Sequence, residues 1–205
     1  MRINTNVWNR VRYSLWAPFY DHIDRFFRRQ RRRSFEILNL QPGERALIVG
    51  AGTGLDLDFI PAGVEVAAID ITPAMIERLR KRAARLGLPV DARVMDGQAL
   101  EYPDASFDAV VLHLILAVIP DPVCCVRETA RVLKRGGRAI IFDKFAPDSG
   151  RLPLLIRLLS PFANILATNV TRRLGPILEG SGLRIVHQEP AKMGGLFRIA
   201  LLQKG

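Results

Sequence analysis

The stretch RALIVGAGTGLD, residues 45–56, narrows the possible folds more than any other part of the chain. Its first half is a short apolar run bounded by glycine, the pattern of a buried strand. Gly50, Gly52 and Gly54 follow at alternate positions. Lacking a Cβ, they let the backbone turn tightly behind the strand and approach a ligand closely. In an open α/β sheet such a turn, after a strand and before a helix, is where the ligand binds.

The rest of the chain repeats the alternation. EVAAID (65–70), DARVMD (91–96), FDAVVLH (107–113) and RAIIFD (138–143) read as further buried strands. Between them, PAMIERLRKRAARLG (73–87) reads as a helix with Thr72 as N-cap, and PVCCVRETARVLKRGG (122–137) as a helix closing on glycines. GLRIVHQEP and LFRIALLQK, parted by Gly194 and Gly195, read as a closing hairpin. Strands alternating with helices predict βαβ units, so the fold class is α/β: a doubly wound, mostly parallel sheet with an antiparallel edge. At 205 residues the chain suits one domain with an appended terminal element, and no repeat or low-complexity linker divides it.

Adjacent Cys124 and Cys125 offer neither a disulfide framework nor a zinc spacing, which fits a reducing cytosol. The N-terminus lacks the apolar stretch of a secretory signal. No apolar run reaches the ~18 uncharged residues of a membrane span; the nearest, 152–170, is broken by Pro153, Arg157 and Pro161.

Glycine spacing discriminates among nucleotide ligands. A dinucleotide fingerprint would need glycine at position 55, which is Leu55, and a P-loop would need Lys followed by Ser or Thr. Asp70 ends the second strand twenty residues after Gly50, where a carboxylate can accept both ribose hydroxyls. Asp96 ends the third strand, where it can accept a hydrogen bond from an adenine amino group. Each acid alone has an ordinary explanation, since Asp favours turns. A glycine loop and two strand-terminal acids, in order, are much harder to dismiss.

At these residues the chain resembles the class I S-adenosylmethionine-dependent methyltransferases. GERALIVGAGTG resembles their glycine-rich motif, and VAAIDITPAMIERLRKRA the ribose-binding strand and its helix. VMDGQALEYPDASFDAVV resembles the adenine strand and its successor, and ARVLKRGGRAII the approach to the fifth strand. Ile48 departs from the pattern, standing where many members carry Glu. The resemblance implies a Rossmann-like, seven-stranded fold with S-adenosylmethionine as cofactor and S-adenosylhomocysteine as product. It places Gly50, Ala51, Gly52, Thr53 and Gly54 at the methionyl part, and Asp70 and Ile71 at the ribose. Met75 falls near the adenine, with a core-filling role as its plain alternative. Asp96, Gly97 and Gln98 flank the adenine, and Tyr20, His113 and Leu114 also line the cofactor.

After the fourth strand the chain reads HLILAVIPDP rather than an Asn/Asp-Pro-Pro-aromatic run, which disfavours methylation of DNA bases or glutamine amides. YSLWAPFYD near the N-terminus, this run, the insertion at 151–175 and GGLF in the hairpin resemble bacterial phosphatidylethanolamine N-methyltransferases that associate with membranes. That resemblance implies successive N-methylation of a phospholipid headgroup toward phosphatidylcholine. A quinone-biosynthesis C-methyltransferase is the second enzyme reading, and a cofactor-binding docking module without turnover is the non-enzyme one.

The catalytic candidates are Tyr20 and His113. His113 is expected to orient the amine or accept its proton, or else to be a packed, hydrogen-bonded histidine. Tyr13, Trp16 and Tyr20 offer aromatic faces to a methylated ammonium group. Lys144, Arg172 and Arg173 are candidates for the lipid phosphate, which Arg grips bidentately, each with a solvated charge as the plain alternative.

Charge bears on the partner. Thirty Lys and Arg against twenty Asp and Glu leave +10, and residues 1–40 hold nine Arg against three acids. An excess that local marks a docking surface. Phe19, Ile23, Phe26 and Phe27 share one helical face, ringed by Arg25, Arg28, Arg29, Arg32 and Arg33. Such a helix can sink its aromatics into the headgroup boundary while its arginines meet lipid phosphates. Alternatively the aromatics pack on the protein's own core. Nucleic acid would explain the charge but not the apolar 152–170 segment. The expected partners are therefore an anionic membrane surface and its phospholipid, with no nucleic acid and no obligate protein partner. The expected location is cytoplasmic, peripheral to the membrane. Residues 1–40 are expected to form a membrane-associating, site-covering helix, and 41–205 the methyltransferase domain, with 151–175 as its lid.

Overall fold

The structure is a computed structural model and describes residues 5–6, 25–146 and 171–205. Seven strands, β1 (Arg45–Val49), β2 (Glu65–Asp70), β3 (Val90–Val94), β4 (Phe107–His113), β5 (Leu133–Lys144), β6 (Leu183–Lys192) and β7 (Phe197–Lys204), form one sheet. Their order is β3-β2-β1-β4-β5-β7-β6. Pairing is parallel from β3 through β5, and β7 runs antiparallel between β5 and β6. The Rossmann-like class I arrangement expected from the sequence is therefore present. The strand order reverses between β1 and β4, and loops leaving neighbouring strand ends in opposite directions open a crevice there.

Both faces of the sheet are covered, which is why its strands read as nearly continuous apolar runs. Leu47, Val49, Val110 and Leu112 project to one side, where they meet Val126 of α3 (Pro122–Val132) and Leu178 of α4 (Leu174–Leu178). Ile48, Val111 and Ile140 project to the other, against Phe35 and Leu38 of α1 (Arg28–Leu38) and Ile76 and Leu79 of α2 (Pro73–Leu86). Thr72 precedes α2 as expected, although its hydroxyl makes no capping bond, and Gly87 closes the helix in the left-handed conformation. Asp121 caps α3 by accepting from the Val123 and Cys124 amides.

The helix predicted over 122–137 stops at Val132. Leu133 is extended and pairs with Phe107 in the sheet, and both side chains are fully buried. Burial of that pair outweighs another helical turn. The glycines then carry β5 past a register shift opposite Phe107 and Ala109, with Gly136 at φ 70°.

The basic aromatic segment is divided in its use. A 3-10 turn, Arg25–Phe27, leads into α1. Phe27 packs against Phe142 and Phe197, at centroid separations of 5.6 and 4.9 Å, while Phe26 stays 59% exposed. Arg28 pairs with Asp58 at 2.7 Å, Arg31 with Asp56 at 2.7 Å and Arg33 with Glu189 at 2.9 Å. These arginines clamp α1 to the body of the protein, whereas Arg29 and Arg32 are exposed. Phe19 and Ile23 lie outside the described residues.

Candidate functional site

The end of β1 delivers the glycine loop into the crevice. Gly50, Gly52 and Gly54 have φ of 68°, 54° and 83°. A Cβ on Gly50 would lie 2.7 Å from Ile115 Cδ1, and one on Gly54 2.9 Å from Leu79 Cγ. The loop is thus pressed between the β4–α3 connection and α2, and left-handed backbone there requires glycine. The Ala51 amide donates to the Ile69 carbonyl at 2.8 Å, tying the loop to β2. Thr53 is buried within it.

Asp70 braces the same loop. One carboxylate oxygen accepts from the Gly52 amide at 3.0 Å and the other from the Thr72 amide at 2.8 Å. Burial pushes its pKa up, against the opposing effect of those two bonds. Each oxygen keeps a lone pair for an outside donor. The strand read over 91–96 stops at Val94, so Asp96 lies two residues past β3. Its Oδ1 accepts from the backbone and side-chain nitrogens of Gln98, both at 2.9 Å, and its Oδ2 from Asn6 Nδ2 at 2.6 Å and Gln98 Nε2 at 3.1 Å. Gln98 Oε1 in turn accepts from the Asp121 amide at 2.7 Å, joining the strand end to the start of α3. A Cβ on Gly97 would meet Val49 Cγ1 at 2.7 Å.

Two adjoining solvent-open clefts share Gly50, Asp70, Ile115 and Val118. Arg31, Ala51, Gly52, Met75, His113 and Leu114 complete the first. Ile71, Met95, Asp96, Gly97, Ile119 and Asn6 line the second. The apolar slot formed by Ile71, Met95, Gly97 and Ile119 suits a flat base. Asp70, with acceptor capacity to spare, suits a ribose diol, and the side-chain-free loop beside Arg31 suits an amino-acid end. The donor set therefore fits S-adenosylmethionine. Met75, at 2% exposure, both fills the core and lines the first cleft.

His113 is in the wall of that cleft. Its Nδ1 lies 2.8 Å from Asp56 Oδ1 and its Nε2 2.8 Å from Ser34 Oγ, so both ring nitrogens are engaged within the protein. Arg31 donates to the same Asp56 oxygen at 2.7 Å. Burial alone would raise the Asp56 pKa; Arg31 and His113 override it and hold the carboxyl well below the usual carboxylate range. The packed, hydrogen-bonded histidine is the form the structure contains.

The phosphate candidates separate. Arg172 donates to the backbone carbonyls of Leu116, Ile119 (2.7 Å) and Pro120 (3.3 Å), clamping the β4–α3 connection rather than standing ready for a phosphate. Arg173 is exposed. Lys144 ends β5 with its ammonium 5.7 Å from the Phe197 ring centroid; burial lowers its pKa, opposed by Asp143. Tyr13, Trp16 and Tyr20 lie outside the described residues.

Several site residues went unassigned from sequence. Ile115, Val118 and Ile119 belong to the run HLILAVIPDP, whose place after a strand was the available signal. Arg31 shares a helical face with Ser34, Phe35 and Leu38, a spacing that marks it as inward-facing. Asn6 carries no local signal.

Residues 47–141 match a family model described as a methyltransferase domain. A phosphatidylethanolamine N-methyltransferase of Cereibacter sphaeroides is 34% identical over 94% of this chain and 95% of its own length. A demethylmenaquinone methyltransferase of Tropheryma whipplei is 32% identical over 72% of this chain, which spans 58% of that relative. A crystal structure of a SAM-dependent methyltransferase from Aquifex aeolicus aligns with a TM-score of 0.65 at 20% identity, over 85% of this chain and 89% of that one.

Proposed function

From the premise that the chain belongs to the S-adenosylmethionine-dependent methyltransferases, we propose that it methylates the headgroup amine of phosphatidylethanolamine and its mono- and dimethyl forms, toward phosphatidylcholine, while peripherally bound to a membrane. The observation that carries this reading is the extent of the match. The relative named for that reaction aligns over nearly the whole of both chains, whereas the quinone-pathway relative leaves a large part of itself unmatched.

S-adenosylmethionine, when bound, supplies a methyl group on a sulfonium already activated for displacement. Gly50, Ala51, Gly52, Thr53 and Gly54 with Arg31 would hold its amino-acid end, and Asp70 its ribose hydroxyls. Ile71, Met95, Gly97 and Ile119 would hold the adenine, with Asp96 beside it. The residues of the chain then have mainly to align the acceptor. The Arg31–Asp56–His113–Ser34 network pins α1 to the end of β4 and makes one wall of the cleft rigid. With the His113 nitrogens engaged, the amine arrives neutral or loses its proton to water. Ile115 and Val118 exclude water from the approach, and Lys144 offers its ammonium to the lipid phosphate.

Incubating the purified protein with methyl-labelled S-adenosylmethionine and phosphatidylethanolamine, then separating the lipids by thin-layer chromatography, tests this reading. Label in the methylated phospholipids is the expected result. Label only in a demethylquinone would favour the second reading, motivated by the Tropheryma whipplei relative. Label in neither would remove both.

A further inference from the structure

We propose that the tip of the β6–β7 hairpin, together with Phe26, is a docking patch for an anionic lipid bilayer, placed on the edge of the sheet where the cleft opens. The choice of occupant rests on the lipid reading above.

Among the described residues, Met193 at 64% and Phe26 at 59% are the most exposed large apolar side chains. Far apart in sequence, they are brought together by Lys192. Its ammonium lies 3.0 Å from the Phe26 ring centroid and donates to the Phe26 carbonyl at 2.8 Å, and Met193 is the next residue. The contact is braced further along. Gln30 donates to the Ala191 carbonyl at 3.3 Å, and Arg33 grips both oxygens of Glu189 at 2.9 and 3.0 Å. The start of α1 therefore follows the end of β6 along several successive contacts, and the two apolar side chains project from one supported ridge.

Its position is set by register. Lys144 at the end of β5 and Lys192 at the end of β6 both pair with Phe197. The hairpin tip thus stands on the same edge as Gly50, Asp70, Asp96 and His113, the carboxyl ends of the parallel strands. The described chain also leaves this edge at Ala146 and rejoins it at Arg172, whose carbonyl accepts from the Ala146 amide at 2.8 Å. The sequence between them includes 152–170, in which Arg157 is the single charge.

Isolated exposed apolar residues are ordinary. Two on one ridge beside Lys192, with Arg29 and Arg32 exposed on the adjoining α1, have the make-up of an interfacial site, where apolar side chains enter the headgroup boundary and cations meet anionic lipid. The neighbouring acids already have partners: Glu189 is paired with Arg33 and His187, Glu36 with Arg33 at 3.6 Å, and Asp58 with Arg28 and Arg82. A second copy of the chain would bring the same cations against one another, which disfavours self-association through this face.

Flotation of the full chain with vesicles of phosphatidylglycerol and phosphatidylcholine, and with phosphatidylcholine alone, provides the test. The chain is expected to float with the anionic vesicles at low salt and not with the neutral ones. Met193→Ser and Phe26→Ser should each lower the partition coefficient about tenfold, equivalent to about 1.4 kcal/mol. Met193→Glu should abolish flotation, with cofactor affinity by calorimetry and turnover on detergent-dispersed substrate unchanged. A wild-type chain that stays with the soluble fraction, or a Met193→Glu variant that floats like wild type, would overturn the proposal. So would a dimer seen by light scattering that Met193→Ser dissolves, because the face would then belong to a second copy. Flotation as expected without methylated phospholipid would sink the substrate assignment and leave the docking patch standing.

Discussion

Replacing Arg31 with Met probes the buried network that shapes the cleft. The Arg31 and Asp56 side chains are 7% and 3% exposed, with 2.7 Å between the charged atoms. Removing one partner of a buried ion pair costs about 3–5 kcal/mol, because the other charge stays buried. His113 continues to donate to Asp56 at 2.8 Å, which puts the expected loss near the lower end, about 3 kcal/mol. For a chain of this size that corresponds to a fall in Tm of about 6–12 °C. The dependence on pH has a definite sign. In the wild type the Asp56 pKa is depressed, so its contribution is complete above the unfolded-state value and is lost as pH falls through the folded one. In the variant, burial is no longer countered by Arg31 and the folded-state pKa moves up. A raised carboxyl gains stability as pH falls through it, so the gap between the two proteins is widest at neutral pH and narrows as pH falls through the variant's folded-state value. Urea unfolding of both proteins from neutral pH downward measures it. A loss below about 1 kcal/mol at neutral pH, or a gap that does not narrow, would refute the reasoning that an ionised Asp56 depends on Arg31.

Asp70→Asn should weaken S-adenosylmethionine binding about 10- to 100-fold by calorimetry, since it removes the charge-assisted bonds to the loop and those proposed to the ribose; unchanged affinity would remove Asp70 from the site. Gly97→Ala should cost about 1–3 kcal/mol in thermal or urea unfolding, because its methyl lands 2.7 Å from Val49 Cγ1 at the end of a buried strand. A wild-type melting curve would show that the strand end yields more readily than its packing indicates.

The parts of the fold legible beforehand are those written locally. Strand runs, the Pro73 and Pro122 helix starts and the glycine loop are each decided within a few residues and are present, although β3 stops at Val94, β5 starts early at Leu133, and the glycine loop leads into a 3-10 turn, Leu55–Phe59. The error at the end of α3 has the opposite character. LKRGG is an acceptable helix end until Leu133 finds Phe107 on a neighbouring strand, a partner that no window around residue 133 contains. Asn6 reaches Asp96 across ninety residues for the same reason.

The candidate site divides along the same line. A strand that stops at a glycine must turn there, and Asp70 at the end of β2 and Asp96 just past β3 line the crevice, so the glycine loop and the two acids of the candidate site were legible in the order of residues. Which way a long polar side chain points depends instead on what lies opposite it. Arg31, one cation in a basic run, is internal because Asp56 receives it; Arg172 clamps carbonyls because the β4–α3 connection passes within its reach. His113 sits where its position in β4 puts it, yet its nitrogens are occupied by Ser34 and Asp56, partners supplied by other elements. Away from the end of α3, backbone path and apolar burial are properties of short segments, and the sequence alone determined them. The assignment of each charge to cleft, lipid or protein is a property of pairs brought together only when the chain closes, and the tertiary structure decided it.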